Sequence, residues 1–422
     1  MNLETIKLDL VAPPFAGHLF PLLELGAFLK EQGVQHLRVL STEGAKEATE
    51  LVGLEHVTLL SSKDKEIEAI ANPPYRVKNN PRKLMQQLEA NLALTKIMKG
   101  EFEELWRKGK PDVVLADFTL PIAGLLARSL GIHWWTSLPT PCALETKRGT
   151  PSYLGGWSDT ALLAPSRNTL GRTVVRGFKN FVAWYYKRQL SELGVSSLYR
   201  KNGDEIVYSP QKIFALGMKE FELERDWPEA LEFIGSLTAS PPYPHTSPTF
   251  ESNKPHVLIS LGTHLPWAKD KAADFIQQLA KQLPELEFHF SFGRAGRRTV
   301  KKIENVSFYD YIPYHLYLND YKAAIIHGGT GVTYSCVKAG VPMLVWPHDY
   351  DQFDHAVRIA HHELGLRLSE DVNTCAKQLK QLLIDSKIQT SCKHFKAKAT
   401  DYSPGERVLE HLTLALKANK SG

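Results

Sequence analysis

Along most of the chain, short apolar runs alternate with longer stretches in which apolar residues recur every three or four positions. The first cycle shows the pattern clearly: residues 6–11 form an apolar run, Pro13, Pro14 and Gly17 interrupt it, and leucines then recur at helical spacing over 18–32. Apolar strands that alternate with amphipathic helices are typical of a parallel sheet covered by helices on both faces. The pattern therefore predicts an α/β fold with Rossmann-like sheets.

The first half keeps this rhythm as far as residue 138 and then departs from it. Further strands are predicted at 37–41, 112–116, 133–137, 212–216 and 232–234, and helices at 81–108 and 121–130. Residues 139–208 are instead rich in aromatic and basic side chains, among them Trp157, Trp184, Tyr185 and Tyr186. We interpret this segment as a helical insertion with two alternatives open: its aromatic residues either face the core or form an apolar wall for a substrate.

A proline-rich connector divides the chain. Residues 236–255 contain several prolines, which suit neither a helix nor a sheet, so we expect a semi-rigid linker. The rhythm then restarts, with strands predicted at 256–261, 287–292, 306–309, 323–326 and 343–346, helices at 269–282, 333–339 and 352–362, and two closing helical segments. We predict an N-terminal domain (1–235), the linker, a C-terminal domain (256–400) and a C-terminal helix (401–422). Two such domains leave a cleft at the carboxyl ends of their strands, where open parallel sheets bind ligands.

Composition and charge exclude several classes of protein. With 422 residues, of which 43% are hydrophobic, the chain can bury large cores and is not disordered. An excess of 51 Lys and Arg over 46 Asp and Glu gives a net charge of only +5, which argues against a nucleic-acid-binding protein. The four cysteines are too scattered for a disulfide scaffold or a zinc motif. Since no apolar run is long enough to span a membrane and the first ten residues carry acidic side chains, we expect a cytoplasmic protein without a signal peptide.

A glycine-rich turn is the strongest chemical motif. The strand that ends at residue 326 leads into His327, Gly328, Gly329, Thr330 and Gly331, and a helix follows. Glycines there let backbone N–H groups approach an anion, and the helix N-terminus adds partial positive charge. The sequence predicts a pyrophosphate-binding turn that matches neither the ATPase P-loop nor the dinucleotide fingerprint.

Two further loops follow predicted strands of the same domain. Ser260, Gly262 and Thr263 offer hydroxyls and amides to the same phosphates, although a plain turn explains them as well. Asp351 and Gln352 stand at the start of a helix, where they either hydrogen-bond to vicinal sugar hydroxyls or cap the helix. With the glycine-rich turn, these loops point to a sugar attached to a diphosphate.

On these motifs, the chain resembles the family 1 glycosyltransferases of the GT-B fold, in which two Rossmann-like domains face each other across a cleft. The C-terminal half matches the signature region of that family at Tyr311-Ile312-Pro313, at the glycine-rich turn, at Pro347 and at Asp351-Gln352. Residues 13–21 are similar to its opening motif, and the likeness is weakest over 139–255. Residues 351–356 bring the chain nearer to bacterial natural-product, carotenoid or glycolipid enzymes than to plant ones.

The resemblance implies roles for individual residues. His18 matches the general base that deprotonates the acceptor hydroxyl, and Asp117 matches the carboxylate that orients it. A neutral imidazole suits proton abstraction near neutral pH. The implied donor contacts are the Tyr311 ring and Ile312 backbone for the base, Gly17, Ser260, Gly262, Thr263 and the 327–331 turn for the diphosphate, Ser335 for the ribose, and Asp351 and Gln352 for the sugar.

Two positions depart from the pattern of the family. Ser335 stands where many members carry a glutamate that holds the ribose hydroxyls, which leaves UDP and dTDP both open, with a UDP-sugar favoured. His355 replaces the usual asparagine after the Asp-Gln pair.

The resemblance implies an inverting, metal-independent transfer of a hexose, with glucose favoured, to a hydroxyl of a lipophilic small-molecule or lipid acceptor. We expect no cofactor besides the nucleotide-sugar co-substrate. Two alternatives stay open: a nucleotide-sugar epimerase or hydrolase, and a non-catalytic auxiliary partner of another glycosyltransferase. We expect a monomer or weak dimer, and the basic aromatic segment leaves open a peripheral contact with the inner face of the membrane.

Overall fold

The structure, a computed structural model, describes residues 3–71, 81–152, 157, 162–250 and 253–421. Within these residues the strands form two seven-stranded sheets, one before and one after the proline-rich segment 236–255. The predicted α/β architecture with two Rossmann-like domains is therefore confirmed. Among the described helices, none combines the length and the apolar character needed to cross a bilayer.

The N-terminal sheet is parallel throughout. Its order is β3-β2-β1-β4-β5-β6-β7, so β1 and β4 are neighbours at its centre. The strands are β1 (Lys7–Val11), β2 (His36–Ser41), β3 (Glu55–Thr58), β4 (Val113–Asp117), β5 (His133–Leu138), β6 (Lys212–Ala215) and β7 (Leu231–Phe233). In β4 every residue is buried, as expected for a central strand with helices on both faces.

The C-terminal sheet has the order β10-β11-β9-β8-β12-β13-β14. Its strands are β8 (His256–Ser260), β9 (Glu287–Ser291), β10 (Val300–Ile303), β11 (Val306–Tyr309), β12 (Ala323–Ile326), β13 (Met343–Val345) and β14 (Gly365–Arg367). The edge strand β10 runs antiparallel to β11, and all other pairs are parallel. Residues 304 and 305 join β10 to β11, and only antiparallel strands can be joined by so short a turn.

Helices pack on both faces of the sheets. In the N-terminal half they are α1 (Ala16–Glu31), α2 (Lys46–Leu51), α3 (Asp64–Ala71), α4 (Pro81–Lys108), α5 (Pro121–Ser129), α6 (Ala164–Tyr185) and α7 (Lys187–Glu192). In the C-terminal half they are α8 (Pro266–Lys281), α9 (Tyr314–Tyr317), α10 (Thr330–Ala339), α11 (Gln352–His361), α12 (Val372–Ile384), α13 (Ser386–Ala399) and α14 (Pro404–Ser421). Three helices, rather than the expected two segments, close the described chain because Asp385 ends α12 and its side chain caps α13.

The strands that the sequence pattern missed are short or polar. β3 is half-exposed, β10 carries two lysines and is mostly exposed, and β14 has three residues. Each lies at or next to a sheet edge, where one face or one side remains in water and the apolar run that marks a buried strand is absent.

The two halves exchange elements at their junction. Met218 and Phe221, which follow β6, are buried in the core of the C-terminal half. In return, Val408 and Leu412 of α14 are buried in the core of the N-terminal half, where α14 packs against α1. These crossings fix how the carboxyl ends of the two sheets face each other.

The sequence left two placements open for the aromatic residues of the 139–208 segment: in the core, or in an apolar wall for a substrate. Tyr186 is buried, as the core alternative requires, and its hydroxyl donates to the carbonyl of Met85 at 3.0 Å. Trp157, Trp184 and Tyr185 are each at least 40% exposed, so the core alternative is wrong for them.

Candidate functional site

The carboxyl ends of β1 and β4 bring His18 and Asp117 together. His18 lies in the first turn of α1, just after β1, and Asp117 is the last residue of β4. The Nδ1 atom of His18 lies 3.0 Å and 3.1 Å from the two carboxylate oxygens of Asp117. Because a carboxylate only accepts, Nδ1 carries the proton and Nε2 keeps a free lone pair. The backbone N–H of Thr119 donates to Asp117 at 2.9 Å and helps to hold the fully buried carboxylate in place.

The environment of His18 sets its protonation. Burial by itself would lower the pKa of His18, but the Asp117 carboxylate and, more weakly, the Asp351 carboxylate oppose it, and the net effect raises the pKa above its ordinary value. The side chain is 25% exposed, so Nε2 remains within reach of a ligand. Asp351 belongs to the other half of the chain, so carboxylates of both halves favour the protonated ring.

Aromatic rings surround His18. The Phe118 ring lies 5.7 Å from the His18 ring, and the Phe15 ring lies 6.5 Å from it at a steep angle. His264, in the loop after β8, packs edge-on against Phe15 at 5.5 Å and so reaches across from the C-terminal half. Burial and the neighbouring His18 lower the pKa of His264 to about 4, so its ring is neutral at pH 7. Phe15 and Phe118 thus give the His18 ring apolar neighbours, and His264 packs behind Phe15.

The predicted glycine-rich turn joins β12 to α10. Gly328 has a φ of +90°, and a Cβ there would approach the backbone of Gln352 to 3.0 Å. A Cβ on Gly329 would lie 2.3 Å from His327, so only glycine fits. Since α10 begins at Thr330, its first-turn N–H groups lack partners within the helix and point to the space in front of the turn. This geometry is suited to an anion.

His327 and Ser335 are engaged within the fold. The backbone N–H of His327 donates to the carbonyl of Ser260 at 3.3 Å, which ties the turn to the end of β8. Burial lowers the pKa of His327 to about 4, so it brings no charge to the site at pH 7. The Ser335 hydroxyl donates to the carbonyl of Gly331 at 2.8 Å, which leaves only its lone pairs for a ribose hydroxyl.

The loop after β8 lies against the glycine-rich turn. Gly262 has a φ of +71°, and a Cβ there would meet the His327 ring at 2.8 Å, while Thr263 is exposed. The Nζ atom of Lys269 donates to the carbonyls of Thr263 at 3.2 Å and Phe292 at 2.6 Å and so holds this loop to the next. Burial, with Arg294 nearby, lowers the pKa of Lys269 to about 8. The sequence pattern had not marked this lysine, since it lies inside an ordinary amphipathic helix.

Asp351 and Gln352 behave differently from each other. Asp351 precedes α11, but its side chain makes no capping hydrogen bond to that helix. The amide oxygen of Gln352 accepts from the backbone N–H groups of His348 at 2.8 Å and Asp349 at 3.0 Å. Gln352 therefore shapes its own loop with its oxygen, and only its NH₂ group remains for a ligand.

Thr140, which the sequence analysis missed, completes this side of the cleft. It follows β5 of the N-terminal sheet, and its hydroxyl donates to Oδ2 of Asp351 at 2.9 Å and lies 3.0 Å from the Thr330 hydroxyl. His355 lies behind them, with its Nδ1 atom 2.6 Å from the carbonyl of Gly328. Because a carbonyl only accepts, this ring nitrogen is the donor and supports the glycine-rich turn from below.

Tyr311 and Ile312 are less open than the resemblance implies. Tyr311 is only 6% exposed, and its hydroxyl donates to Ser240 of the proline-rich segment at 2.8 Å. The backbone N–H of Ile312 donates to the Ser291 hydroxyl at 3.1 Å, so a base contact at this position would fall to its carbonyl. By contrast, a Cβ on Gly17 would meet nothing within 4 Å, so the first turn of α1 faces open space.

In the described part of the chain, no group of three or more His, Cys, Asp or Glu side chains is arranged to hold a metal ion. Cys142, Cys336, Cys375 and Cys392 are all buried and free.

The chain is similar in sequence to one protein-family model and to several glycosyltransferases. Residues 285–413 match the family model described as the erythromycin biosynthesis protein CIII-like, C-terminal domain. Human UDP-glucuronosyltransferase 2B17 is 25% identical over 291 residues, which cover 64% of this chain and 53% of that protein. The NDP-glycosyltransferase YjiC of Bacillus subtilis is 20% identical over 98% of both chains. The chain thus spans about half the length of the human relative but nearly all of the bacterial one.

Solved structures show a shared fold. The glycotransferase of kitacinnamycin matches with a TM-score of 0.76 and 19% identity, covering 97% of this chain and 99% of that one. The glycosyltransferase VinC, solved in complex with DTDP, matches with a TM-score of 0.67 and 16% identity, covering 98% of this chain and 100% of that one. At this level of identity the likeness establishes the architecture, with two Rossmann-like halves and the cleft between them.

Proposed function

We propose that the chain is a family 1 glycosyltransferase of the GT-B fold and that it transfers a hexose, with glucose as the first choice, from a nucleotide-diphosphate sugar to a hydroxyl of a lipophilic small-molecule or lipid acceptor. The observation that carries this proposal is the pair of His18 and Asp117, held at 3.0 Å at the cleft. The two relatives are named as a UDP-glucuronosyltransferase and an NDP-glycosyltransferase. Their names favour sugar transfer over epimerisation, hydrolysis or a purely auxiliary role.

The proposed reaction is a single displacement with inversion. The Nε2 atom of His18 accepts the proton of the acceptor hydroxyl, while Asp117 keeps the ring oriented and stabilises the imidazolium that forms. The acceptor oxygen then bonds to the anomeric carbon as the bond to the diphosphate breaks on the opposite face. Closure of the two domains would align both substrates and exclude water.

On the donor side, we assign the diphosphate to the N-terminus of α10 and to the loop after β8. The unpaired N–H groups of α10 and its dipole would meet the charge that develops on the leaving diphosphate, so the proposed step needs no metal. Asp351 and the NH₂ group of Gln352 would bind the hydroxyls of the sugar. Tyr311, Ile312 and Ser335 would contact the nucleoside, and Gly17 would border the diphosphate from the N-terminal half.

A UDP-sugar is our first choice of donor, and a dTDP-sugar is the second. UDP stands in the name of the human relative, whereas DTDP is bound in VinC. Ser335 supports neither strongly, because its hydroxyl proton is engaged with Gly331 and it cannot hold two ribose hydroxyls as a carboxylate does. No cofactor besides the co-substrate is proposed.

The acceptor would lie against the apolar neighbours of His18. The rings of Phe15, Phe118 and His264 offer hardly any charge at pH 7, which supports a lipophilic acceptor with a hydroxyl directed at Nε2. We propose a cytoplasmic protein, a monomer or weak dimer, in peripheral contact with the inner face of the membrane.

Two steps test the function. First, hydrolysis of a panel of UDP- and dTDP-hexoses by the full chain identifies the donor without knowledge of the acceptor. Second, transfer to apolar alcohols and phenols is compared between the native chain, His18→Ala and the exposed-histidine control His36→Ala. We expect His18→Ala to lower the transfer rate by about 10²–10⁴-fold with donor affinity little changed, and His36→Ala to have no effect. Asp117→Ala should lower the rate less.

The products distinguish the alternatives. A free sugar as the only product in the presence of acceptors would indicate a hydrolase, and an altered nucleotide sugar would indicate an epimerase. No turnover of any donor would point to the auxiliary role, and near-normal turnover by His18→Ala would remove His18 from its role as the base.

A further inference from the structure

Helix α6 carries its apolar face outwards. We name as the outer stripe the residues Leu163, Leu170, Val174, Phe178, Phe181, Trp184 and Tyr185, which recur mostly at intervals of three, four or seven. Between 47% and 73% of the surface of each is exposed. At a rise of about 1.5 Å per residue, the stripe is roughly 33 Å long. A water-soluble protein rarely exposes so long a row of large apolar side chains without a partner.

The fold holds the stripe in this orientation. On the opposite side of α6, the Nζ atom of Lys179 forms ion pairs with Glu145, at 2.7 Å, and with Glu205. Arg172 donates to the carbonyl of Gly149, and the Arg176 guanidinium lies 4.0 Å from the centre of the Tyr199 ring. Turning the helix to bury the stripe would expel these cations from their partners. The outward apolar face is therefore a stable feature of the native structure.

Basic residues outnumber acidic ones along α6 and α7. Residues 164–192 contain six Lys and Arg and one acidic residue, Glu192. Lys187 and Arg188 are exposed at the end of the stripe beside Trp184 and Tyr185. Three of the six basic residues are engaged on the opposite side of α6, so the charge at the stripe is that of the exposed Lys187 and Arg188 at its end.

This combination identifies the partner. An interfacial helix has aromatic and aliphatic side chains on one face and basic residues around them, and its Trp and Tyr side chains lie at the level of the lipid headgroups. Anionic lipid headgroups complement the exposed Lys187 and Arg188 beside Trp184 and Tyr185. We propose that the outer stripe of α6 docks the protein on an anionic lipid surface.

Docking through the outer stripe would bring a lipid-dissolved acceptor to the protein. This consequence, unlike the docking itself, rests on the proposed function. Glu145, the ion-pair partner of Lys179, lies on the loop that leaves the cleft at Thr140. A lipophilic acceptor dissolved in the bilayer would therefore be delivered close to the side of the cleft that carries His18 and Asp117.

Vesicle binding tests the proposal directly. The native full chain is sedimented with vesicles of phosphatidylcholine alone and of phosphatidylcholine with phosphatidylglycerol, at low and high salt. We expect binding to the anionic vesicles, weakened by salt. The variant Phe178→Ser/Phe181→Ser/Trp184→Ser should bind more than about tenfold more weakly, because it removes the side chains that enter the interface. Lys187→Glu/Arg188→Glu should lose the preference for anionic vesicles.

A matched control is Ile384→Ser/Leu414→Ser, which replaces exposed apolar residues of α12 and α14 and should bind as the native chain does. Circular dichroism and thermal melting check that the variants fold, and sedimentation velocity without lipid measures their association. The proposal is overturned if the native chain ignores anionic vesicles, or if the stripe variant binds them equally well. It is also overturned if the stripe variant instead splits a stable dimer. Donor hydrolysis on the same samples is a separate readout, so a failure of the proposed function leaves the vesicle result intact.

Discussion

The hydroxyl of Thr140 donates a 2.9 Å hydrogen bond to Oδ2 of Asp351, although 211 positions of sequence separate the two residues. Thr140 follows the central part of the N-terminal sheet, and Asp351 precedes α11 of the C-terminal half. The carboxylate that would bind the sugar thus already has a partner across the cleft. Sugar hydroxyls would have to replace this contact or share it.

Removing the hydroxyl of Thr140 should therefore strengthen binding of the nucleotide sugar. We expect Thr140→Val, which keeps the shape of the side chain, to bind the nucleotide sugar about 2–10-fold more tightly, since one hydrogen bond contributes about 0.5–1.5 kcal/mol. Binding of the nucleoside diphosphate should not change. Calorimetry with both ligands measures the effect. Weaker binding of the sugar nucleotide would instead make Thr140 a direct ligand of the sugar.

Substitutions of Asp351 and Gln352 should affect ligand binding and stability differently. Asp351→Asn should weaken binding of the nucleotide sugar while the nucleoside diphosphate binds as before. Gln352→Ala should weaken both ligands and lower the thermal stability, because its oxygen holds the backbone of His348 and Asp349. Calorimetry and thermal melting on the same samples check this. Equal loss of both ligands in Asp351→Asn would mean that Asp351 shapes the loop and does not bind the sugar.

The pH profile should report the His18 pair. The base must be unprotonated, so kcat/KM for the acceptor should rise with pH through a pKa above the ordinary histidine value, which Asp117 raises against the effect of burial. In Asp117→Asn the carboxylate charge is lost and burial remains, so the inflection should move to lower pH while the maximal rate falls. Rates from pH 5 to 9 at saturating donor measure both. An unmoved inflection would assign the titration to another group.

Much of this site follows from the sequence because its parts lie at strand ends. Asp117 ends a buried strand, the 327–331 turn directly follows another, and His18 lies in the helix that follows β1. Parallel strands place their carboxyl ends at one edge of the sheet. The local pattern therefore predicts which residues face the cleft within each half.

Contacts between distant segments could not be predicted in the same way. The bond between Thr140 and Asp351, the approach of His264 to Phe15 and the burial of Tyr311 under Ser240 all depend on how the halves and the linker pack. The hydrophobic periodicity of the sequence describes local elements and does not specify contacts between segments that lie far apart in the chain. Likewise, the outward face of α6 is apolar like a buried face, and the contacts of Lys179, Arg172 and Arg176 decide which side of the helix faces water.

Chelation should leave the transfer rate unchanged. Asp349 and Asp351 form an Asp-x-Asp sequence, a pattern that binds metals in another class of transferases. Here, however, Asp349 accepts from the N–H of Tyr350 at 3.1 Å, and Asp351 accepts from Thr140. The N-terminus of α10 offers its own positive charge to the diphosphate. We expect full activity in excess EDTA. Loss of activity with EDTA and recovery with manganese or magnesium would contradict both the metal-free step and the role of Asp351.

The last prediction concerns a buried ion pair behind the cleft. Arg358 of α11 donates from Nη2 and Nε to Oε2 of Glu222 at 2.7 Å and 2.9 Å, and both side chains are 1% exposed. Glu222 comes from the N-terminal half of the sequence, so the pair helps to join the segment after β6 to α11. Removing one partner leaves a buried charge without compensation, which costs about 3–5 kcal/mol.

We therefore expect Arg358→Met to lower the free energy of unfolding by about 3–5 kcal/mol. Glu222→Leu should lower it less, since Arg358 keeps Asp354 as a partner, and the double variant should lose clearly less than the sum. Asp354 remains beside the pair, 3.7 Å from Nη1 of Arg358. Burial raises the pKa of Asp354 and Arg358 opposes this, so without Arg358 the carboxyl group should take up a proton more readily. Arg358→Met should consequently gain stability relative to the native chain as the pH falls from 7 to 5. Urea unfolding at both pH values measures these differences, and additive losses in the double variant would show that the two charges do not interact.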